Sequence, residues 1–161
     1  MKVTNELIQN ATKELIIQND LYDVNVILLC KYLGIKRQTF YYHYQNIYDV
    51  VESIFIDDTK EFFDFNGSLN EFENKIKDYY FNNKEFLNAV IDSNIKELAK
   101  DFYYDVFYHF YLNYSKGNKN ETNNARFFAG GASNIMIMAL SSLDNKTIDN
   151  SINFIFKKIN I

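Results

Sequence analysis

The chain of 161 residues contains no proline and no tryptophan, only five glycines and a single cysteine. Missing proline and scarce glycine argue against a turn-rich β architecture and against flexible linkers, since both need those residues to bend or loosen the backbone. The lone Cys30 excludes an intramolecular disulfide framework and a cysteine-rich zinc site. Inside its apolar run it reads as a small core residue. No stretch approaches the roughly eighteen uncharged apolar residues of a membrane helix, and Met1 leads into a polar amphipathic segment without a signal-peptide core. A soluble, cytoplasmic protein with no membrane contact is therefore expected.

Chemistry is sparse as well. His43 and His109 are the two histidines, so a metal at His109 would lack a second imidazole nearby. Gly130-Gly131 follows no strand pattern and precedes no Gly-Lys-Ser, unlike a phosphate loop. No nucleophile is paired with a base. The expectation is no catalytic residue, no metal and no cofactor, and hence not an enzyme.

What the chain does have is apolar mass: 47% hydrophobic residues, 17% aromatic, enough for one sizeable core or a core with a small lobe. With the absences above, this predicts an all-α protein. The net charge of −4 is uneven. Met1 to Gln45 holds five cations against four anions, and the remainder twelve against seventeen. A nearly neutral head on an acidic body fits a small DNA-contacting lobe beside a body that does not touch DNA.

From Thr4 to Asn19, residues Leu7, Ile8, Ala11, Leu15 and Ile16 recur at helical spacing, with Thr4 or Asn5 able to cap the start. Asn25 is a good N-cap for a second helix whose inward stripe is Val26, Leu29, Cys30 and Leu33. Ile27 and Leu28 lie off that stripe, where they either pack on a neighbour or touch a thymine methyl. Gly34 supplies the left-handed residue that closes the helix. A third helix from near Lys36 turns Phe40 and Tyr44 inward and shows Lys36, Arg37, Gln38, Thr39, Tyr41, Tyr42 and His43 on its other side. A helix, a tight glycine turn and a helix with a polar leading end is the arrangement that enters the DNA major groove. An ordinary amphipathic helix in a bundle is the plainer alternative. Cations at a helix N-terminus oppose its dipole, however, and make sense if a phosphate or base edge meets them.

The string Gly34-Ile35-Lys36-Arg37-Gln38-Thr39-Phe40-Tyr41-Tyr42-His43-Tyr44-Gln45-Asn46, followed by Asp49-Val50-Val51, resembles the TetR family signature of bacterial one-component regulators. Asn25-Val26 and Leu29-Cys30 resemble its Thr-Val and Ile-Ala pairs, so the likeness spans the first fifty or so residues. It implies a three-helix helix-turn-helix DNA-binding domain over 1–46 and a helical ligand-binding and dimerisation domain over 47–161. Carried over position by position, Thr39, Tyr41 and His43 match phosphate contacts, and Lys36, Arg37, Gln38 and Tyr42 the variable positions that read bases. Phe40 and Tyr44 match core positions, and Asn46 opens the fourth helix, whose amide end can meet a phosphate. A phosphate contact from the start of the second helix at Asn25 is also open. Two departures stand out: Ile47 replaces the family's usual lysine, and Ile27 and Leu28 replace commonly polar residues. Each lost phosphate contact lowers the salt slope by roughly 0.9.

The body reads as a helix from Asn46 or Asp49 to about Phe65, then one from the Ser68–Glu71 capping box to about Phe81, and after Asn82-Asn83 a short one over Phe86 to Ile91. From about Asn94 to Ser115, apolar and aromatic residues cover nearly the whole circumference, so this helix should be central. Gly117 to Asn120 reads as a loop. Beyond it come a helix through Gly130-Gly131 and a last one capped by Asp144. The order of segments resembles the short-bodied TetR regulators related to dihydroxyacetone-kinase regulators. Phe102, Tyr103, Phe107, Tyr111 and Phe128 are candidates for a pocket holding a small apolar or aromatic effector, though core is the default for such a stripe. Gly130, Gly131, Ala132, Met136, Ile152 and Phe156 are candidates for an isologous homodimer interface.

The resulting expectation is a sequence-specific transcription regulator, a ligand-responsive repressor dimeric on a near-palindromic double-stranded DNA operator. A coactivator or adaptor that keeps the fold but binds another protein is the alternative from a different class.

Overall fold

The computed structural model describes residues 4–115 and 121–159, and all of their regular structure is helical, as composition predicts. The expected loop at Gly117 to Asn120 lies outside the described residues. Helix α1 (Asn5–Gln18) starts at Thr4, whose hydroxyl accepts from the Leu7 amide at 3.2 Å. A single 3-10 turn (Leu21–Asp23) leads to α2 (Val26–Leu33), capped by Asn25, whose Oδ1 accepts from the amides of Ile27 and Leu28 at 3.0 Å each. Gly34 closes α2 at φ +66°, the left-handed conformation that glycine adopts without strain. Helix α3 (Arg37–His43) follows, then α4 (Ile47–Phe63), which opens at Asn46 with its Oδ1 accepting from the Asp49 amide at 3.0 Å.

The body continues as α5 (Leu69–Ile91), α6 (Lys96–Tyr114), α7 (Glu121–Leu140) and α8 (Asn145–Ile159). The break expected at Asn82-Asn83 does not occur, and α5 runs unbroken for 23 residues. Asn83 turns its Nδ2 back onto the Tyr79 carbonyl at 3.0 Å, so it satisfies the helix it was expected to end. Helix α4 stops at Phe63, short of Phe65, and Phe63 is exposed. Helix α6 packs on α4, α5 and α7, which makes it the central element as expected.

One connected set of buried side chains runs from Ile8 of α1 to Phe156 of α8. Its middle is aromatic. Phe72 stacks on Phe110 with ring centres 3.7 Å apart, and Phe62, Phe65 and Phe156 close around Phe72 at 5.2–6.0 Å. Such rings bury large areas and lock each other's rotation. Ile47, the departure from the resembled signature, is buried at the start of α4 and contributes to this core.

Candidate nucleic-acid interface

Two buried aromatics hold α3 in place. Phe40 is fully buried and Tyr44, just past the helix, is nearly so, while the opposite face projects outward. Lys36, Arg37, Gln38, Tyr41 and Tyr42 are exposed, Tyr42 at 87% of its surface, and Thr39 and His43 are half-buried. Tyr41 rests edge-on against Phe40 with ring centres 5.5 Å apart, which fixes its direction without burying it. His43 points one ring nitrogen elsewhere: Nδ1 lies 2.6 Å from Oδ1 of Asn5, tying α3 to the start of α1. Lys36 precedes the helix without a side-chain cap bond, so its ammonium is not used by α3 itself. Asn25 and Asn46 are spent on capping α2 and α4 and remain exposed beside this face. Of the pair off the α2 stripe, Leu28 packs against the core, whereas Ile27 stays 57% exposed.

The head is fastened to α4 and α5 by polar contacts that periodicity does not reveal. Gln9 donates from Nε2 to Asp57 at 2.8 Å and to the Ser53 hydroxyl at 3.0 Å. The Lys13 ammonium pairs with Asp58 at 3.4 Å, reaches Asn83 Oδ1 at 3.4 Å and sits 5.4 Å above the Phe86 ring. Tyr79 donates to the same Asp58 at 2.7 Å. Its own ring lies 4.7 Å from Phe102 of α6. Burial, reinforced by the Asp58 charge, pushes the Tyr79 hydroxyl well up, so it stays a donor.

The five residues expected to surround an effector form a chain of ring contacts, Phe102 to Tyr103 at 5.0 Å, Tyr103 to Phe107 at 6.3 Å, Phe107 to Phe128 at 6.0 Å and Phe128 to Tyr111 at 5.3 Å. They divide between the packed interior and two open grooves. Tyr103 and Phe107 are fully buried in the packed interior. Phe102 lines an open groove of about 410 Å³ between α4 and α6. Tyr111 and Phe128 line another, of about 400 Å³, against α7 and α8. The residues expected at a dimer seam divide between buried and exposed positions. Ala132 and Met136 on α7 and Ile152 and Phe156 on α8 are buried in the protomer's own core, where α7 packs on α6 and α8. Gly130 is half-buried and Gly131 exposed, and a Cβ at either would meet nothing within 4 Å. The outward face of the same two helices instead carries Phe127 (87% exposed), Met138 (75%) and Phe154 (50%). Their signal was present in the sequence as apolar residues out of phase with the inward stripe.

No family model matches the sequence, and no curated protein matches it. Among solved structures, the fold is similar to one described as "Dihydroxyacetone kinase operon activator DhaS", with a TM-score of 0.70 over 98% of this chain and 97% of that one. At 20% sequence identity, what is shared is the all-helical fold.

Proposed function

We propose that the chain is a sequence-specific DNA-binding transcription regulator that works as a homodimer, with residues 1–46 reading an operator and residues 47–161 pairing two copies and taking an effector. The observation that carries this is the outer face of α3. Five polar or aromatic side chains, Lys36, Arg37, Gln38, Tyr41 and Tyr42, stand exposed on a short helix fixed from behind by Phe40 and Tyr44. Arginine, lysine and glutamine are the side chains that pair with guanine and adenine edges, and tyrosine hydroxyls reach phosphates. The name of the similar structure, an operon activator, describes that protein and agrees with a regulatory role for this fold. Occupying two successive major grooves excludes other proteins from them, so repression is the direct outcome of binding, whereas activation needs a further protein contact.

Gel retardation with the DNA upstream of the protein's own coding region, at low salt, tests the proposal. Lys36→Glu with Arg37→Glu is expected to abolish retardation while circular dichroism and thermal midpoint stay unchanged. No retardation of any near-palindromic fragment by folded, dimeric wild type would overturn it. The second reading, an adaptor acting through another protein, is favoured by Ile47, which stands buried where the resembled signature carries a lysine, so one phosphate-contacting cation is missing beside the head. It wins if the double charge reversal leaves promoter control intact while substitutions in the body abolish it.

A further inference from the structure

The turn between α4 and α5 holds the one Asn-Gly pair of the sequence, Asn66-Gly67. Both residues are exposed and lie outside regular structure. The Asn66 side chain makes one hydrogen bond, from Nδ2 to the Asp64 carbonyl at 3.0 Å, and water can replace that exposed bond at little cost. The Gly67 amide donates to no described residue. Position 67 also admits no larger residue, because Phe65 folds over it and a Cβ there would stand 2.4 Å from the ring's Cζ. The nitrogen that follows Asn66 is therefore free of hydrogen bonds and unshielded by a side chain of its own. Other asparagines lack this combination. Asn25, Asn46 and Asn94 precede Val26, Ile47 and Ile95, whose branched carbons crowd the next nitrogen. Asn82 and Asn83 lie inside α5, where backbone nitrogens are engaged in the helix.

We propose that Asn66 is a self-modification site, at which the Gly67 nitrogen attacks the Asn66 side-chain amide and turns it into aspartate and isoaspartate. Hydroxide takes the Gly67 amide proton, the nitrogen bonds to Cγ, and the Cγ–Nδ2 bond breaks. Nδ2 leaves as ammonia with a proton from water, and a five-membered imide remains. Water then opens the imide. Attack at Cγ gives aspartate, and attack at the Asn66 backbone carbonyl gives isoaspartate, whose main chain runs through Cβ and Cγ. One water is consumed and one ammonia released, with no oxidant, metal or second protein involved. Glycine favours closure because its backbone reaches conformations that other residues avoid. Aspartate adds only a charge, whereas isoaspartate also lengthens the main chain by one carbon between residues 66 and 67. That lengthening falls where α5 begins. Glu71 accepts there from the Ser68 amide at 2.7 Å and its hydroxyl at 2.8 Å. The Phe65 ring, folded over Gly67, packs on Phe72 at 5.2 Å and Phe110 at 6.3 Å. A longer chain withdraws Gly67 from beneath that ring and loosens the capping box. Neither step depends on the regulator function proposed above.

Ageing the purified full chain in mildly alkaline and mildly acidic buffer, followed by peptide mass mapping, tests the site. The peptide that spans Asn66 should gain one mass unit, split into two products, and do so faster in alkali. One product should accept a methyl group from an isoaspartyl methyltransferase. Asn66→Gln, whose longer side chain closes poorly on the nitrogen, should stay folded and accept none. Aged wild type should unfold about 2–4 °C below fresh protein, as expected for a weakened helix cap. Freshly prepared Asn66→Asp, which has the charge without the extra carbon, should keep the fresh midpoint. An unchanged Asn66 after ageing overturns the proposal, as does another asparagine that reacts before it or equal methyl acceptance by Asn66→Gln. Isoaspartyl protein with the fresh midpoint, or fresh Asn66→Asp with the aged one, overturns the role given to the lengthened chain.

Discussion

Tyr42 keeps 87% of its surface in water, and its ring leans edge-on against the half-buried His43 at 5.2 Å. A side chain so placed contributes little to folding. Tyr42→Ala is expected to change stability by no more than about 0.5 kcal/mol. The same change should weaken operator binding in a titrated gel-retardation assay, and unchanged retardation would remove Tyr42 from the reading face. Tyr103 is the opposite case: fully buried, with a hydroxyl that has no hydrogen-bond partner among the described residues. Burial pushes that hydroxyl far up, so it stays protonated and its donor goes unused. Tyr103→Phe removes an unsatisfied polar atom and keeps the ring, and it should stabilise the protein by about 1 kcal/mol in urea unfolding. At this scale the sequence was informative where a residue's task is local. Asn25 and Gly34 could be assigned because a cap and a left-handed turn are properties of a few adjacent residues. Ile47 could not, since whether an apolar residue at a helix start faces water or core depends on how that helix meets its neighbours.

Among the elements, α5 shows where periodicity gave the wrong answer. Asn82-Asn83 resembles a break, yet Phe72, Ile76, Tyr79, Tyr80, Phe86, Leu87 and Val90 form one continuous buried stripe, and burial of that stripe outweighs the weak helix preference of asparagine. Helix starts were legible for the converse reason. Ser68 and Glu71 form the capping box read from their spacing, and Asp144 accepts from the Thr147 amide at 2.9 Å. These caps set an acid dependence. Backbone and side-chain bonds from Ser68 hold the Glu71 carboxyl below its usual range, and those from Thr147 do the same for Asp144. Gln9 first, then Lys60, lowers Asp57, which fastens α1 to α4. A carboxyl whose folded value lies below its unfolded one stabilises the fold above the unfolded value. That contribution is lost as pH falls through the folded value. The thermal midpoint should therefore be flat above about pH 5 and decline below about pH 4. Glu71→Gln combined with Asp144→Asn should lower the midpoint at neutral pH and make the acid decline shallower. An acid limb identical to wild type would show that these caps do not set it.

For the whole molecule, the exposed face of α7 and α8 bears on the homodimer proposed above. Phe127, Met138 and Phe154 place large apolar surface in water, with Gly131 between them on the same face of α7. Exposed apolar area of this kind marks an interaction site. The glycines sharpen the point. A glycine inside a helix costs about 1 kcal/mol against alanine, and nothing in the protomer comes within 4 Å of a Cβ built at Gly131. Close packing within one chain therefore does not explain it, whereas close approach by a second copy would. Four of the six residues the sequence offered for a dimer seam, Ala132, Met136, Ile152 and Phe156, are buried in the protomer, because small residues and methionines look alike whether they meet their own chain or a partner. If two copies join here around a two-fold axis, the α3 helices can be set about 34 Å apart to meet successive major grooves. Gly131→Ala should then make the isolated subunit more stable by about 1 kcal/mol and yet raise the dimer dissociation constant in analytical ultracentrifugation. Phe127→Ser with Met138→Ser should give a folded monomer that no longer retards operator DNA, although its α3 face is untouched. A double variant that remains dimeric would move the interface elsewhere. A monomeric variant that binds as tightly as wild type would show that one head suffices, and that the spacing set by α7 and α8 has no part in recognition.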